Sequence, residues 1–93
     1  MSESLVAEGT VKVVNPAGVH ARPAAMLVQL ASRFTSEIQI GKDGLDVNAK
    51  SIMGVLLLAA ECGSELKIVA EGPDAADAVE AIAALVARGF EES

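Results

Sequence analysis

The sequence predicts a small α+β domain built in two layers, with helices on one face of a sheet and solvent on the other. Three observations predict this. Four short stretches alternate apolar and polar residues with a period of two. Three others repeat apolar residues at three- and four-residue steps. The two kinds follow one another in the order β-α-β-β-α-β-α within 93 residues, a length that fits one domain.

The first strand is expected at 8–14, EGTVKVV, where Val11 and Val13 share one face and Thr10, Lys12 and Val14 the other. The stretch NPAG then places Pro and Gly as a type I turn requires. From Ala21 the period changes. Leu27, Leu30, Ala31 and Phe34 form an apolar stripe, so a helix is expected over about 21–33. Pro23 falls in its first turn, where a missing N–H is harmless.

Ile38 and Ile40, then Leu45 and Val47, mark two more strands. Asp43-Gly44 between them signals an antiparallel hairpin. A short helix is expected to start near Ser51, with Ser51 as its N-cap, and to stop by Gly63; Gly54 weakens it. Leu66, Ile68 and Ala70 alternate with Lys67, Val69 and Glu71 in a fourth strand. The clearest helix follows. Asp74 is its expected N-cap, Asp77 suits the positive helix start, and Val79, Ile82, Ala83 and Val86 form the stripe. Arg88 and Gly89 make its C-terminal end. Residues 1–7 are expected to be a loose tail and 8–93 a single domain.

Composition excludes several function classes. Hydrophobic residues make up 52% of the chain, which is too apolar for a disordered protein. The longest apolar run, IMGVLLLAA, is about half the roughly 18 residues that a membrane span needs. The N-terminus lacks signal-peptide character, and the single Cys62 has no internal disulfide partner; a cytoplasmic protein is expected. The net charge is −6, the seven Lys and Arg residues are scattered, and there is no Trp or Tyr, which argues against nucleic-acid binding. One His and one Cys match no metal-ligand spacing, so no metal or cofactor is expected. Cys62 itself reads as a small, half-buried thiol.

The chemistry centres on His20, the only histidine. It stands at the N-cap of the first helix, where an oxygen-bearing side chain is usual. With no such cap, and with Pro23 lacking an N–H, the amides of Ala21, Arg22 and Ala24 are expected to face outward as an anion cradle. Arg22 adds a planar donor fork suited to phosphate oxygens. An imidazole beside such a cradle can accept a phosphoryl group and release it again. A lone histidine in a small domain is more commonly a surface residue without a task; the joint pattern of turn, His, Arg, Pro and helix raises the functional reading to parity.

GVHARPAA (18–25) resembles the active-site signature of the histidine-containing phosphocarrier (HPr) family of the bacterial phosphoenolpyruvate-dependent phosphotransferase system. FTSEI, NAKSIMGVL and AEGPDA extend the resemblance from about residue 8 to residue 90. It implies an open-faced β-sandwich with a four-stranded antiparallel sheet in the order 1-4-2-3, covered on one face by three helices. It also implies that His20 is phosphorylated on Nδ1 by phosphorylated enzyme I and passes the group to a histidine of a IIA component. By the same resemblance, Arg22 helps bind and activate the phosphoryl group, beside the Ala21 and Arg22 amides of the anion cradle read above. Such a protein is a stoichiometric carrier rather than an enzyme, and a monomer is expected. The resemblance makes Ser51 similar to the regulatory serine modified by an HPr kinase/phosphorylase. Phosphate there would bring nearly two negative charges into a docking surface expected around Lys50, Ile52, Met53 and Leu56. Two further readings stand beside the carrier: a regulatory adaptor controlled through Ser51, and a module without phosphate chemistry.

Overall fold

One hairpin and two pairings between strands distant in the chain build the sheet. The computed structural model describes residues 5–91. β1 (Val6–Lys12) runs antiparallel to β4 (Glu65–Glu71) along its whole length, from Val6 opposite Glu71 to Lys12 opposite Glu65. β4 pairs on its other edge with β2 (Glu37–Lys42), and β2 with β3 (Leu45–Asn48). The order is β1-β4-β2-β3, all antiparallel. The β2–β3 turn is Asp43-Gly44, with φ of +52° and +86°; two successive left-handed residues are what a tight hairpin turn requires, and the sequence dipeptide supplies them.

α1 (Ala21–Ala31), α2 (Ile52–Leu57) and α3 (Ala75–Ala87) cover one face of the sheet. Ile38, Ile40, Leu66, Ile68 and Ala70 point into the core from the strands. Pro23, Ala24, Leu27 and Ala31 meet them from α1, and Ala75, Ala78, Val79, Ile82, Leu85 and Val86 from α3. Leu30, Phe34 and Ala83 of the expected stripes lie at the margin, half-buried. α3 lies so close to β1 that a Cβ on Gly9 would come within 2.9 Å of Val79 Cγ1. The opposite face carries Glu8, Thr10, Glu37, Gln39 and Lys67, all exposed, so the sandwich is open.

The boundaries differ from the expected ones in identifiable places. β1 begins at Val6, so Val6 and Ala7 belong to the sheet, paired with Glu71 and Ala70, and not to a tail. Residues 1–4 of that tail lie outside the described residues. The strand ends at Lys12, because beyond it Val13 bonds to the turn that precedes β4: its amide donates to the Ser64 carbonyl at 2.9 Å and its carbonyl accepts from Gly63 at 2.8 Å. α1 ends at Ala31, two residues early; the Ser32 hydroxyl donates back to the Val28 carbonyl at 2.7 Å. α2 is only six residues long. Just past its end the Leu58 and Ala59 carbonyls accept from Lys42 Nζ at 3.2 Å each, and Ala59 turns the chain with φ +49°.

Asp74 occupies the N-cap position of α3, as expected, but its side chain does not cap the helix. Its carboxylate accepts instead from the amides of Thr35 and Ser36, both at 2.9 Å, and from the Ser36 hydroxyl at 2.5 Å. Ser36 Oγ in turn accepts from the Asp74 amide at 3.2 Å. Three donors from the entry to β2 outcompete the helix for this carboxylate. The Ser36 hydroxyl above all, and then the Thr35 amide, lower its pKa from the ordinary 3.8 to about 2. Arg88 and Gly89 end α3, as expected, but the chain does not run straight on. It makes a left-handed turn over Gly89–Glu91, φ +68°, +56° and +63°, that drives Phe90 into the core.

Candidate functional site

The site begins at the turn after β1. Asn15 through Gly18 close it: the Gly18 amide donates to the Asn15 carbonyl at 3.0 Å, and Asn15 Nδ2 donates to the Gly18 carbonyl at 2.7 Å. Gly18 adopts φ +72°, and a Cβ there would come within 2.5 Å of the Ala60 carbonyl oxygen. The glycine therefore serves both the left-handed conformation and the close approach. The next amide, Val19, donates to that same Ala60 carbonyl at 2.8 Å. The turn is thus fastened to the segment that follows α2.

His20 comes next, as the N-cap of α1. It is extended (φ −88°, ψ −162°) and exposed, and no side chain caps the helix. Of the three amides expected to face outward, one does not: Ala24 donates to the His20 carbonyl at 2.9 Å, because it is the fourth residue after the N-cap and so the first amide with a helical acceptor four residues back. Ala21 and Arg22 remain as the open donors of the first turn. Arg22 is exposed and takes no part in the Lys67–Glu8 or Arg88–Glu91 ion pairs. An exposed imidazole, two outward amides at the positive end of an 11-residue helix and a guanidinium one residue beyond the first amide make a place where an anion can bind next to a nucleophile.

The second cluster lies on α2, which packs beside α1. Ser51 is its N-cap, as expected, and its Oγ accepts from the Gly54 amide at 3.1 Å. Ile52, Met53 and Leu56 are exposed, Met53 by 74%. Leu57, not singled out from the sequence, joins them at 68%, whereas Val55 and Leu58 are the core residues of this run. Lys50 is half-buried and its Nζ donates to the Phe34 carbonyl at 2.7 Å. Cys62 corrects the expectation of a half-buried thiol: it is exposed, with Sγ 3.6 Å from the Val14 carbonyl. The loop from Glu61 to Ser64 is a surface turn, which exposes whatever stands in it.

The residue beside this site that the sequence does not single out is Asn15: it opens the NPAG turn, yet it is 3% exposed. The available signal was its place before Pro in a turn leading to the only histidine.

Known proteins share the sequence and fold of this chain. Residues 7–88 match the family described as the PTS HPr component phosphorylation site. The phosphocarrier protein HPr of Treponema pallidum is 60% identical over 83 residues, covering 89% of this chain and 94% of that one. The HPr-like protein Crh of Halalkalibacterium halodurans is 52% identical over 79 residues, covering 85% and 94%. The crystal structure of HPr from Thermoanaerobacter tengcongensis superposes with a TM-score of 0.89 at 45% identity, covering 94% and 98%. A family match over nearly the whole chain, relatives of the same length and a shared sheet order leave one conclusion: the chain belongs to the HPr family of phosphocarrier proteins, a family that also holds the Crh branch.

Proposed function

We propose that this protein carries a phosphoryl group on His20, received from phosphorylated enzyme I and delivered to a histidine of a IIA component. The observation that carries this reading is the exposed His20 at the uncapped start of α1, with Arg22 beside it. In the transfer, a lone pair of the His20 imidazole attacks phosphorus. The bond from phosphorus to the donor imidazole breaks, and that imidazole leaves with the electron pair. The Ala21 and Arg22 amides and the Arg22 guanidinium stabilise the charge on the equatorial oxygens, the main requirement of such a step. Ile52, Met53 and Leu56, with Leu57, form the apolar surface on which successive partners dock, and the flexible Met53 suits several of them. The protein acts as a monomer and is consumed and regenerated once per group carried.

Incubation with enzyme I and phosphoenolpyruvate is expected to add one acid-labile, base-stable phosphate to the wild type and none to His20→Ala. Phosphate of that kind on His20→Ala would overturn the assignment.

A Crh structure described as the Bacillus subtilis catabolite repression HPr, 46% identical with a TM-score of 0.68, favours a second, regulatory reading; in it we infer that a kinase phosphorylates Ser51 and the modified form binds a regulatory partner. Ser51 Oγ stands at a helix start, where a phosphate is electrostatically tolerated. Equal partner affinity for wild type, Ser51→Ala and phosphoserine-51 protein would remove it.

A further inference from the structure

Among the described residues, the buried polar and charged side chains are Asn15 and Ser36. Ser36 is explained by its exchange of hydrogen bonds with Asp74. Asn15 lies between β1 and α1, outside the strands. Its carboxamide, 3% exposed, donates to the Gly18 carbonyl. Burying a carboxamide costs free energy unless the bonds it makes replace those lost to water. A turn of this kind closes adequately on its main-chain bond from Gly18 to Asn15, so the side chain must serve something else.

What it serves is the peptide group between Gly18 and Val19. The carbonyl of that peptide is held by Asn15 Nδ2 at 2.7 Å, and its N–H is held by the Ala60 carbonyl at 2.8 Å. A peptide plane gripped at both ends cannot rotate about its flanking bonds. It is the last plane before the Val19–His20 peptide, and any rotation in it would swing the imidazole relative to the helix that begins at Ala21. Gly89 lies next to Asn15 at a distance that would give an added Cβ ordinary van der Waals contact, 3.8 Å from Asn15 Cβ, and the Gly18 backbone is pressed against Ala60, where a Cβ would come within 2.5 Å of the carbonyl oxygen. Val19, beside it, is buried.

We propose that Asn15 is the positioning residue of the carrier site: its buried carboxamide fixes the Gly18–Val19 peptide and thereby holds the His20 imidazole in register with the Ala21 and Arg22 amides. This inference rests on the phosphocarrier reading. Its effect belongs to the transfer step and not to docking, because the exposed apolar surface of α2 is built from other residues. Misplacing a reacting group by about 1 Å can lower a rate by roughly 100-fold, and a partial loss of registry by about tenfold.

The test uses the full chain as the varied acceptor of enzyme I, with phosphoenolpyruvate as donor. Asn15→Ala is expected to lower kcat about tenfold while KM stays within about twofold. Asn15→Ser, whose hydroxyl can donate locally to a turn carbonyl, is expected to recover a substantial part of the loss. A folded Asn15→Ala that transfers at the wild-type kcat, or whose loss lies wholly in KM, would overturn the inference. So would Asn15→Ser as slow as Asn15→Ala. If Asn15→Ala does not fold, the wild type decides. Its Asn15 side-chain NH2 protons must exchange with solvent far more slowly than those of exposed Asn48, with His20 phosphorylated or not; equal exchange rates would refute the pinned peptide. A wild type that takes no phosphate on His20 would instead sink the phosphocarrier reading itself.

Discussion

The starts of α1 and α2 face the same problem and solve it in opposite ways. Each leaves backbone amides without a helical partner. At α2 the chain supplies its own answer: Ser51 Oγ accepts from Gly54. At α1 it supplies none, since His20 does not cap and Pro23 removes one of the amides. Charge follows the same division. From Gly9 to Ser36 there is no Asp or Glu, although the whole chain carries 13, so the open helix start has Arg22 near it and no acidic residue in its own segment. One helix start is satisfied by its own side chain and the other is not. The comparison teaches that an uncapped start takes its meaning from its neighbours: at α1 these are an exposed histidine and an exposed arginine.

The largest expected effect of breaking this contrast falls on the open end. Arg22→Ala removes the charged fork and leaves both amides, so phosphoryl transfer from enzyme I should slow by roughly 100-fold, the scale for losing one donor to a developing anion. Stopped-flow or quench measurements of transfer would show it, with the melting temperature unchanged because Arg22 is exposed. A second, smaller effect comes from filling the capped end with charge. Phosphorylating Ser51 places nearly two negative charges beside Ile52 and Met53. KM for enzyme I should rise about tenfold and kcat change little, since His20 and its cradle sit on the other helix. A fall confined to kcat would mean that the two helix starts communicate, and the division between docking and chemistry would fail.

Much of this was legible in the sequence, and the reasons can be named. Strand periodicity located β2 and β4 because each buries one face fully, and Asp43-Gly44 announced the hairpin because only certain residues accept two left-handed positions. His20 and Arg22 were legible because their residue types are unusual for where they stand. What escaped was determined by long-range partners. Asp74 looked like a cap because α3 is local to it, whereas its donors come from Thr35 and Ser36, nearly 40 positions away in the chain. Ala24 is a local exception: it is the fourth residue after the N-cap, and ordinary helical bonding pairs its amide with the His20 carbonyl. Cys62 looked half-buried, and Asn15 carried no weight at all, because burial in loops depends on how two loops meet, which periodicity does not encode. Phe90 is buried only through a left-handed turn that nothing in the helix before it requires.

The third helix start sharpens the comparison, because Asp74 is an N-cap residue whose carboxylate serves a different segment. Its pKa lies near 2 in the folded protein, below the ordinary 3.8. A group whose pKa is depressed by folding stabilises the native state above its unfolded value and loses that contribution as pH falls through the folded value. Thermal stability of the wild type should therefore drop between about pH 4 and pH 2 through this group. Asp74→Asn should be less stable than the wild type at neutral pH, with the difference narrowing across that window. Melting curves from pH 7 to pH 2 would check it, and a gap that stays constant with pH would place the depressed pKa elsewhere.

The smallest effect belongs to the cap itself. Ser51→Ala removes one neutral acceptor from one amide, and replacing such a cap by alanine costs about 1 kcal/mol. α2 has only six residues, and Gly54 within it lowers its intrinsic helicity, so it depends more on this bond than a longer helix would. The loss should nevertheless be local. Lys42 still holds the far end through the Leu58 and Ala59 carbonyls, and Val55 and Leu58 still anchor the helix to the core. Chemical denaturation should register the destabilisation of about 1 kcal/mol, and amide exchange should show it concentrated at Gly54. Transfer from enzyme I should keep its wild-type rate, because a methyl in place of the hydroxyl adds no charge to the docking surface. If Ser51→Ala slowed transfer as much as phosphorylation does, the hydroxyl would be a contact for the partner and not a cap, and the contrast between a helix start kept for the fold and one left open for the cargo would no longer hold.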